Sequence, residues 1–163
     1  MIEQTQCRNL VTMSGVLQFL SAPVPRPPLS GDAPESQDAV RVRSILIVDD
    51  SHFERKVIRG AVEGLTKFRV CGEAADGVEA IKKAKEMRPD LVVMDLAMPL
   101  MNGVEAAMVL KNTMPKVPVV LFTLFAEQLR GAISPGFGVT IILSKADGLA
   151  PLLACLERLL AAD

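Results

Sequence analysis

Two adjacent aspartates, Asp49 and Asp50, follow directly on the apolar run "SILIV" at residues 44–48. A third aspartate, Asp95, follows the apolar run "LVVM" at residues 91–94 in the same way. If folding brings these carboxylates together, each pair at about 4 Å repels by about 4 kcal/mol at an effective dielectric constant of about 20. A divalent cation with oxygen ligands would neutralise them, and Mg²⁺ suits a site with few carboxylates and open positions for phosphate oxygens.

Two more side chains stand at the ends of apolar runs and suit phosphoryl chemistry. Thr123 follows "VPVVLF" at residues 117–122, and Lys145 closely follows "VTIIL" at residues 139–143. A carboxylate such as that of Asp95 can attack a phosphoryl group to form an acyl phosphate. Such a transfer depends on in-line positioning and on neutralising the equatorial oxygens, which a cation, an ammonium and a hydroxyl can provide.

Short apolar runs alternate with helix-like segments from residue 43 onward. Four of the runs, at residues 44–48, 91–94, 117–122 and 139–143, are continuously apolar instead of alternating with polar residues. Continuous runs are typical of strands whose sheet is covered by helices on both faces, so the pattern predicts a parallel α/β sheet. A fifth run, "FRVCGEA" at 68–74, contains interleaved polar residues, which favours an edge strand.

The carboxyl ends of these predicted strands carry all the polar groups named above. Open α/β sheets bind ligands beyond the carboxyl ends of their strands, where the strand order reverses. In a sheet of order 2-1-3-4-5 that point lies between strands one and three, which precede Asp49, Asp50 and Asp95. With right-handed crossovers, these aspartates would share one shallow pocket flanked by Thr123 and Lys145.

Five helices are predicted between and after the strands. Helix amino ends favour a capping side chain with an acid or amide group. The predicted caps are Asp50, Asp76, Asn102 and Asp147, with Glu79 and Glu105 placed to complete capping boxes. The fourth helix is the weakest, because "EQLRGAISPGFG" contains Gly131, Pro135 and Gly136 and leaves room for about two turns.

Length and composition limit the function classes. The chain has 163 residues, 50% of them hydrophobic, and a net charge of −1, which predicts one globular domain without a basic surface for nucleic acid or anionic membranes. Its three cysteines, Cys7, Cys71 and Cys155, are far apart and lack zinc-site spacing, which favours reduced thiols in a cytoplasmic protein. No apolar run approaches the ~20 residues of a membrane span.

Residues 1–42 are interpreted as an extension outside the core. Residues 21–38 hold five of the eleven prolines and little to bury, so they predict a partly extended linker. The "PRPP" segment could dock on a proline-reading partner, but a passive tail is favoured because such short matches often arise by chance. A third alternative is that the protein starts at Met13 or later.

Four motifs together resemble one known family. They are "LIVDDS", "DLVVMDLAMPLMNGVEA", "VVLFT" and "LSKADG", which follow the order of the predicted strands. Together they are similar to the receiver domain of bacterial two-component response regulators. The resemblance implies a flavodoxin-like, doubly wound parallel sheet of five strands in the order 2-1-3-4-5 with five helices. The resemblance covers roughly residues 43–162. Because the chain ends at Asp163 with its fifth predicted helix, we expect a stand-alone receiver at residues 43–163.

The resemblance also implies a role for each site residue. A histidine kinase or phosphotransfer protein would phosphorylate Asp95 in a Mg²⁺-dependent reaction. Asp50 and Asp95 would bind the metal directly, and Asp49 mostly through water. The remaining implied roles are metal ligation by the backbone carbonyl of Ala97, phosphoryl contact by Thr123 and phosphoryl pairing by Lys145.

Taken singly, each residue has a plainer interpretation, such as a helix cap for Asp50 or a turn residue for Asp95. Their joint placement at the carboxyl ends of strands favours a common site. The lone histidine, His52, is interpreted as a partly exposed side chain in a first helical turn, and not as a second phosphoryl or metal group.

Three positions depart from the family pattern. Leu124 follows Thr123 where the family usually has a small residue, and its bulk would narrow access to an acyl phosphate. Ile142 replaces the aromatic residue that often stands three positions before Lys145, and Ala146 replaces the proline that often follows it. With the short fourth helix, these changes predict intact phosphoryl chemistry with an unusual readout.

The predicted output is contact with a downstream protein whose affinity depends on phosphorylation, without direct DNA binding or membrane association. The chain would not be an enzyme beyond its own phosphorylation and dephosphorylation at Asp95. One alternative is a receiver-like interaction module that works without phosphorylation. The other is an aspartate-nucleophile phosphohydrolase of the haloacid dehalogenase kind, which would need a DxDx[TV] motif after its first strand instead of adjacent aspartates.

Overall fold

The structure, a computed structural model, describes residues 41–129, 131–132 and 135–161. The strands are β1 (Ser44–Val48), β2 (Arg69–Ala74), β3 (Leu91–Met94), β4 (Val119–Thr123) and β5 (Ile141–Ser144). The helices are α1 (His52–Leu65), α2 (Gly77–Met87), α3 (Gly103–Thr113), α4 (Ala126–Leu129) and α5 (Ala150–Leu160), with short 3-10 helices at Pro135–Phe137 and Lys145–Asp147. All but the last two residues of the predicted extension, 1–42, lie outside the described residues.

The five strands form one sheet in the order β2-β1-β3-β4-β5, with every neighbouring pair parallel. The predicted fold class, strand order and edge position of β2 are confirmed. In the register of the central pair, Val48 of β1 stands opposite Met94 of β3. The residues that follow these two, Asp49 and Asp95, therefore leave the sheet side by side.

The core consists of two apolar layers, one on each face of the sheet. Ile45 and Ile47 of β1 belong to the layer formed with α1 and α5. Leu46 and Val48, the alternate residues of the same strand, belong to the layer formed with α2 and α3. All four are 0–1% exposed, which is why the run reads as continuously apolar. Among the residues described, no helix is both long and apolar enough to cross a bilayer.

The helix caps agree with the sequence at two positions and differ at two. Asn102 forms the full capping box with Glu105 at the start of α3, as predicted. The Asp76 side chain caps α2, although the Glu79 side chain reaches the backbone N–H of Ala75 and not that of Asp76. The predictions for Asp50 and Asp147 are wrong. Ser51 caps α1, because the hydroxyl one residue later reaches the Glu54 N–H, and Asp147 belongs to a 3-10 helix while Leu149 precedes α5.

The fourth helix is shorter than the two turns predicted. α4 contains four residues, and a 3-10 turn at Pro135–Phe137 follows it. Gly131 and Gly138 adopt φ angles of 84° and 78°, which end regular helix on either side of that turn. Every residue of the edge strand β5 is partly exposed.

A nearly buried carboxylate, that of Asp90, connects the amino ends of β1 and β3. Its Oδ2 accepts hydrogen bonds from the backbone N–H and the hydroxyl of Ser44, at 2.8 and 3.0 Å. Its Oδ1 pairs with the guanidinium groups of Arg41 and Arg43, at 3.0 and 3.3 Å. Burial raises the pKa of Asp90, but the Ser44 hydrogen bonds and the arginines outweigh burial and hold this pKa below its usual value.

Replacing Asp90 by asparagine is expected to lower the free energy of unfolding by about 2 kcal/mol at neutral pH, because charge-assisted hydrogen bonds are lost. Since the folded pKa is depressed, the carboxylate stabilises the fold fully above the unfolded pKa of about 3.9, and this contribution disappears as the pH falls through the folded value. Urea titrations of both proteins over a pH series measure the two effects. Equal stabilities of the two proteins at neutral pH would contradict the stabilising role of the Asp90 carboxylate.

Candidate functional site

Asp49 lies at the carboxyl end of β1, and its backbone and side-chain polar atoms are all engaged. Its N–H donates to the Ala74 carbonyl at 3.0 Å, and its own carbonyl accepts from Arg55 Nη1 at 2.6 Å. Its carboxylate accepts the Ser51 N–H on Oδ1 at 2.8 Å and the Lys145 ammonium on Oδ2 at 2.6 Å. The residue is 1% exposed. Asp49 is therefore held in one position by contacts from four different residues.

Asp95 stands beside Asp49 at the carboxyl end of the neighbouring strand. Its N–H donates to the Val48 carbonyl at 2.8 Å, and its Oδ2 accepts the Ala97 N–H at 3.0 Å. Gly103 at the start of α3 lies so close that a Cβ there would collide with the Asp95 carbonyl oxygen, so this turn requires glycine. The chain thus fixes one oxygen of the Asp95 carboxylate and leaves Oδ1 facing Lys145.

Lys145, which directly follows β5, reaches both aspartates. Its Nζ lies 2.6 Å from Asp49 Oδ2 and 3.4 Å from Asp95 Oδ1. Burial lowers the pKa of Lys145, but the hydrogen bond to Asp49 and the charge of Asp95 outweigh burial and raise this pKa above its usual value. The lysine therefore stays charged at neutral pH. It already supplies part of the neutralisation that the sequence assigned to a metal cation.

An open cavity of about 460 Å³ lies over these residues at the carboxyl edge of the sheet. Its lining includes all three aspartates, Lys145 and Ala97, so the structure brings most of the predicted site residues together. The remaining lining residues are Ser51, Glu54, Val57, Phe122, Leu124, Phe125, Gly148 and Leu149. The cavity is therefore polar at its base and apolar along the β4 and α5 sides.

Thr123 is the predicted site residue that does not line the cavity. It is the last residue of β4 and is fully buried, between the lining residues Phe122 and Leu124. Its hydroxyl accepts the Phe125 N–H at 3.3 Å. A contact between Thr123 and a phosphoryl group would require a change in the turn after β4, so this contact stays a prediction.

The oxygen donors around the cavity are of the kind that Mg²⁺ binds: the carboxylates of Asp49, Asp50 and Asp95, together with the backbone of Ala97. In the part of the chain that the structure describes, however, no three Asp, Glu, His or Cys side chains converge to form a metal-binding group. The Lys145 ammonium pairs with Asp49 and Asp95, while Asp50 is exposed. The donor types thus fit Mg²⁺. In this arrangement, however, Asp49 and Asp95 pair with Lys145 and do not converge with a third carboxylate on one metal position.

Two charged residues near the site escaped the sequence analysis. Glu54, in the first turn of α1, lines the cavity as a further carboxylate. Arg55 donates to the Asp49 carbonyl and pairs with Glu73 of β2 at 3.0 Å. Their positions in the sequence could have indicated this, because they follow Asp50 by four and five residues. At that spacing, the first turns of the helix bring side chains back near the end of the strand.

The apolar rim includes side chains that remain largely open to solvent. Leu124 is 67% exposed and Phe125 is 45% exposed, and both lie on the β4 side of the cavity. Val57 faces the cavity from α1 and is 38% exposed. The bulk noted at Leu124 therefore lies at the mouth of the cavity. Ile142, where an aromatic residue is common, packs partly buried against the layer beneath α3.

The response regulator receiver domain family matches residues 45–156, which is more than half of the chain. The chain belongs to this family. The family assignment confirms the resemblance predicted from the four motifs. It places the chain among the receiver domains of two-component signalling, whose flavodoxin-like sheet is the one described above.

Individual relatives support the same assignment. The protein-glutamate methylesterase/protein-glutamine glutaminase of Pyrococcus horikoshii is 42% identical over 84 residues, which are 52% of this chain and 23% of that protein. The response regulator domain of Thermotoga maritima CheB is 29% identical with a TM-score of 0.65, covering 76% of this chain and 99% of that one. A chain of the CheX-CheY-BeF3-Mg²⁺ complex of Borrelia burgdorferi is 28% identical with a TM-score of 0.65. The match covers 72% of this chain and 89% of that one. The chain spans less than a quarter of the methylesterase's length.

Proposed function

We propose that this receiver accepts a phosphoryl group on Asp95 from a histidine kinase or phosphotransfer protein, with Mg²⁺ bound beside it. The observation that supports this most is the meeting of Asp49, Asp50, Asp95 and Lys145 around one cavity. Among the two nearly buried carboxylates, Asp95 is the better nucleophile, since its Oδ1 has a single charged neighbour at 3.4 Å. Both oxygens of Asp49 are engaged at 2.8 Å or less.

The proposed transfer balances without any other reactant. Oδ1 of Asp95 attacks the phosphorus of a phosphohistidine, a P–O bond forms and the P–N bond breaks. The imidazole leaves with the electron pair and takes up a proton from solvent water. The product is an acyl phosphate, and its later hydrolysis by water returns the Asp95 carboxylate and releases inorganic phosphate.

The chain's own groups have defined tasks in this reaction. The Ala97 N–H holds Oδ2 of Asp95 and thereby directs Oδ1 toward the cavity. The Lys145 ammonium lies where it can follow the charge from the carboxylate to the phosphoryl oxygens. Bound Mg²⁺, held by Asp49, Asp50, Asp95 and the Ala97 carbonyl, would neutralise phosphoryl oxygens. The BeF3 and Mg²⁺ of the Borrelia burgdorferi CheX-CheY complex support this assignment.

We further propose that the phosphorylated chain acts in the cytoplasm by contact with another protein, and that residues 43–163 form the receiver while 1–42 are an extension. We propose no direct DNA binding and no turnover of an external substrate. The methylesterase relative is a much longer chain, of which the matched region covers 23%.

A second function is favoured by two observations: an interaction module that works without phosphorylation. Lys145 already pairs with both Asp49 and Asp95 and neutralises part of their charge, and Thr123 lies outside the cavity. This alternative predicts that the protein binds its partner equally well with and without a phosphodonor.

Incubation with acetyl phosphate separates the two functions. We expect intact mass spectrometry to find one phosphoryl adduct per chain in the presence of Mg²⁺, and none when EDTA is added. Absence of the adduct under conditions that label an established receiver would favour the interaction module. An adduct of equal yield in EDTA would contradict the proposed role of the metal.

Replacing Leu124 by alanine is expected to shorten the lifetime of the acyl phosphate. The exposed leucine stands at the cavity mouth, where its removal opens a path for water to the phosphorus. A barrier lowered by about 1 kcal/mol would speed hydrolysis about fivefold. Loss of the adduct over time, followed by mass spectrometry after removal of the phosphodonor, measures this rate. Leu100→Ala, at an exposed position outside the cavity lining, is the matched control; an unchanged rate in Leu124→Ala would refute the role of the rim.

A further inference from the structure

We propose that Arg55 is a positioning residue for the metal site, which it serves by clamping the backbone of the turn that carries Asp49 and Asp50. The inference rests on the proposed function, since it concerns Mg²⁺ binding at that turn. Arg55 does not line the cavity itself. It acts through the main chain of Asp49.

The contacts of Arg55 join three elements of the fold. Its Nη1 donates to the Asp49 carbonyl at 2.6 Å, beyond the end of β1. Its Nε donates to Glu73 Oε2 of β2 at 3.0 Å, and its Nη2 lies 3.4 Å from His52 Nδ1. Its backbone N–H donates to the carbonyl of Ser51, the N-cap of α1, at 3.1 Å. With a side chain 13% exposed, the guanidinium is a largely buried bridge between α1, β2 and the turn.

Glu73 fixes the far end of this bridge. Its second oxygen, Oε1, accepts a hydrogen bond from Arg59 Nε at 2.6 Å. The carboxylate is therefore bound by two guanidinium groups of α1, those of Arg55 and Arg59. Burial raises the pKa of Glu73, but its hydrogen bonds with Arg59 and Arg55 outweigh burial and hold this pKa below its usual value. Glu73 therefore stays ionised at neutral pH and keeps Arg55 in place.

The Asp49 carbonyl matters because the peptide unit is rigid. Its carbonyl group and the nitrogen of Asp50 lie in one plane, so fixing the carbonyl direction also fixes where the Asp50 backbone begins. Asp50 is exposed, and no hydrogen bond or ion pair with another residue that the structure describes sets the direction of its side chain. Among the three predicted carboxylate ligands, Arg55 thus orients the one whose side chain has no such contacts of its own.

The positive charge of Arg55, taken alone, would weaken Mg²⁺ binding instead of supporting it. A guanidinium near a cluster of carboxylates repels an incoming cation, so its removal should tighten Mg²⁺ binding if only charge were involved. If Arg55 positions the turn, its removal should instead weaken Mg²⁺ binding. The sign of the change therefore distinguishes positioning from electrostatics.

Arg59 provides a matched control. It pairs with the same Glu73 and has the same charge, but its other contacts are with Glu63 and the Val70 carbonyl, away from Asp49. Arg59→Gln therefore removes one guanidinium from Glu73 without touching the turn. A third variant, Arg55→Lys, keeps the charge but lacks the planar fork that binds a carbonyl and a carboxylate together.

Calorimetric Mg²⁺ titration of the full chain and its three variants tests the proposal. We expect about tenfold weaker Mg²⁺ binding for Arg55→Gln, in the range typical of residues that orient metal ligands. Arg55→Lys should be weakened as well, and Arg59→Gln should bind as the wild type or slightly tighter. Unchanged or tighter binding in Arg55→Gln would overturn the proposal.

A second measurement does not depend on the metal. The Ser51 N–H donates to Asp49 Oδ1 at 2.8 Å, so amide hydrogen exchange at Ser51 in the metal-free protein reports how firmly the turn is held. We expect faster exchange at Ser51 in Arg55→Gln and wild-type exchange in Arg59→Gln. If the wild type binds no Mg²⁺, the metal part of the proposed function fails, while Ser51 exchange still decides the role of Arg55. A wild-type exchange rate at Ser51 in Arg55→Gln would overturn the positioning role of Arg55.

Discussion

Asp95→Asn is expected to show no phosphoryl adduct at all after incubation with acetyl phosphate and Mg²⁺. The asparagine amide has nearly the shape of the carboxylate and can still accept the Ala97 N–H, so the turn should keep its structure. What it lacks is the anionic oxygen that attacks phosphorus. Intact mass spectrometry over a time course long enough to saturate the wild type is the measurement.

Asp90→Asn is the matched control for this experiment. Asp90 and Asp95 flank the same strand, β3, at opposite ends, and both carboxylates are largely buried. The control variant loses stability but keeps the site, so at neutral pH, where it remains folded, it should be labelled to the wild-type extent. A residual adduct on Asp95→Asn would show that another residue accepts the phosphoryl group.

Lys145→Met is expected to lower the free energy of unfolding by about 3 kcal/mol in the absence of divalent metal, because it leaves buried carboxylates without their cation. The side chains of Asp49 and Asp95 are 2% and 9% exposed, so water cannot screen them well. Urea denaturation in EDTA measures the loss. Lys116→Met, at an exposed position, is the control and should change stability little.

Mg²⁺ should stabilise Lys145→Met more than it stabilises the wild type. In the wild type an incoming ion competes with the ammonium for Asp49 and Asp95, whereas in the variant it meets no competitor. A ligand at ten times its dissociation constant adds about 1.4 kcal/mol, so tighter binding gives a larger gain at the same Mg²⁺ concentration. Equal gains in the two proteins would contradict competition between Lys145 and the metal.

The sequence was sufficient for the parts of the fold that depend on local apolar pattern. β1 and β3 have the predicted bounds, because four or five consecutive buried side chains leave little choice of register. β4 and β5 begin two residues later than predicted, at Val119 and Ile141. Pro118, which has no N–H to donate, explains the late start of β4. The placement of Asp49 and Asp95 then follows from strand order alone.

Other features depend on contacts that local pattern does not contain. Because Ser51 and not Asp50 caps α1, the Asp50 side chain remains available to the cavity that it lines. The bridge from Arg55 to Glu73 joins residues 18 positions apart, which no spacing rule predicts. Likewise, the burial of Thr123 reflects the packing of the turn after β4, which the strand pattern leaves open.

The position of the phosphoryl group is the most direct test of the account, because the whole assignment depends on Asp95 as acceptor. Borohydride reduces an acyl phosphate of aspartate to homoserine, which tandem mass spectrometry of the digested chain can locate. We expect homoserine in place of Asp95 after treatment with acetyl phosphate and Mg²⁺, and unmodified Asp49 and Asp50 in the same digest. Homoserine in place of Asp49 or Asp50 would contradict Asp95 as the acceptor. So would the absence of homoserine from a chain that had gained the phosphoryl mass.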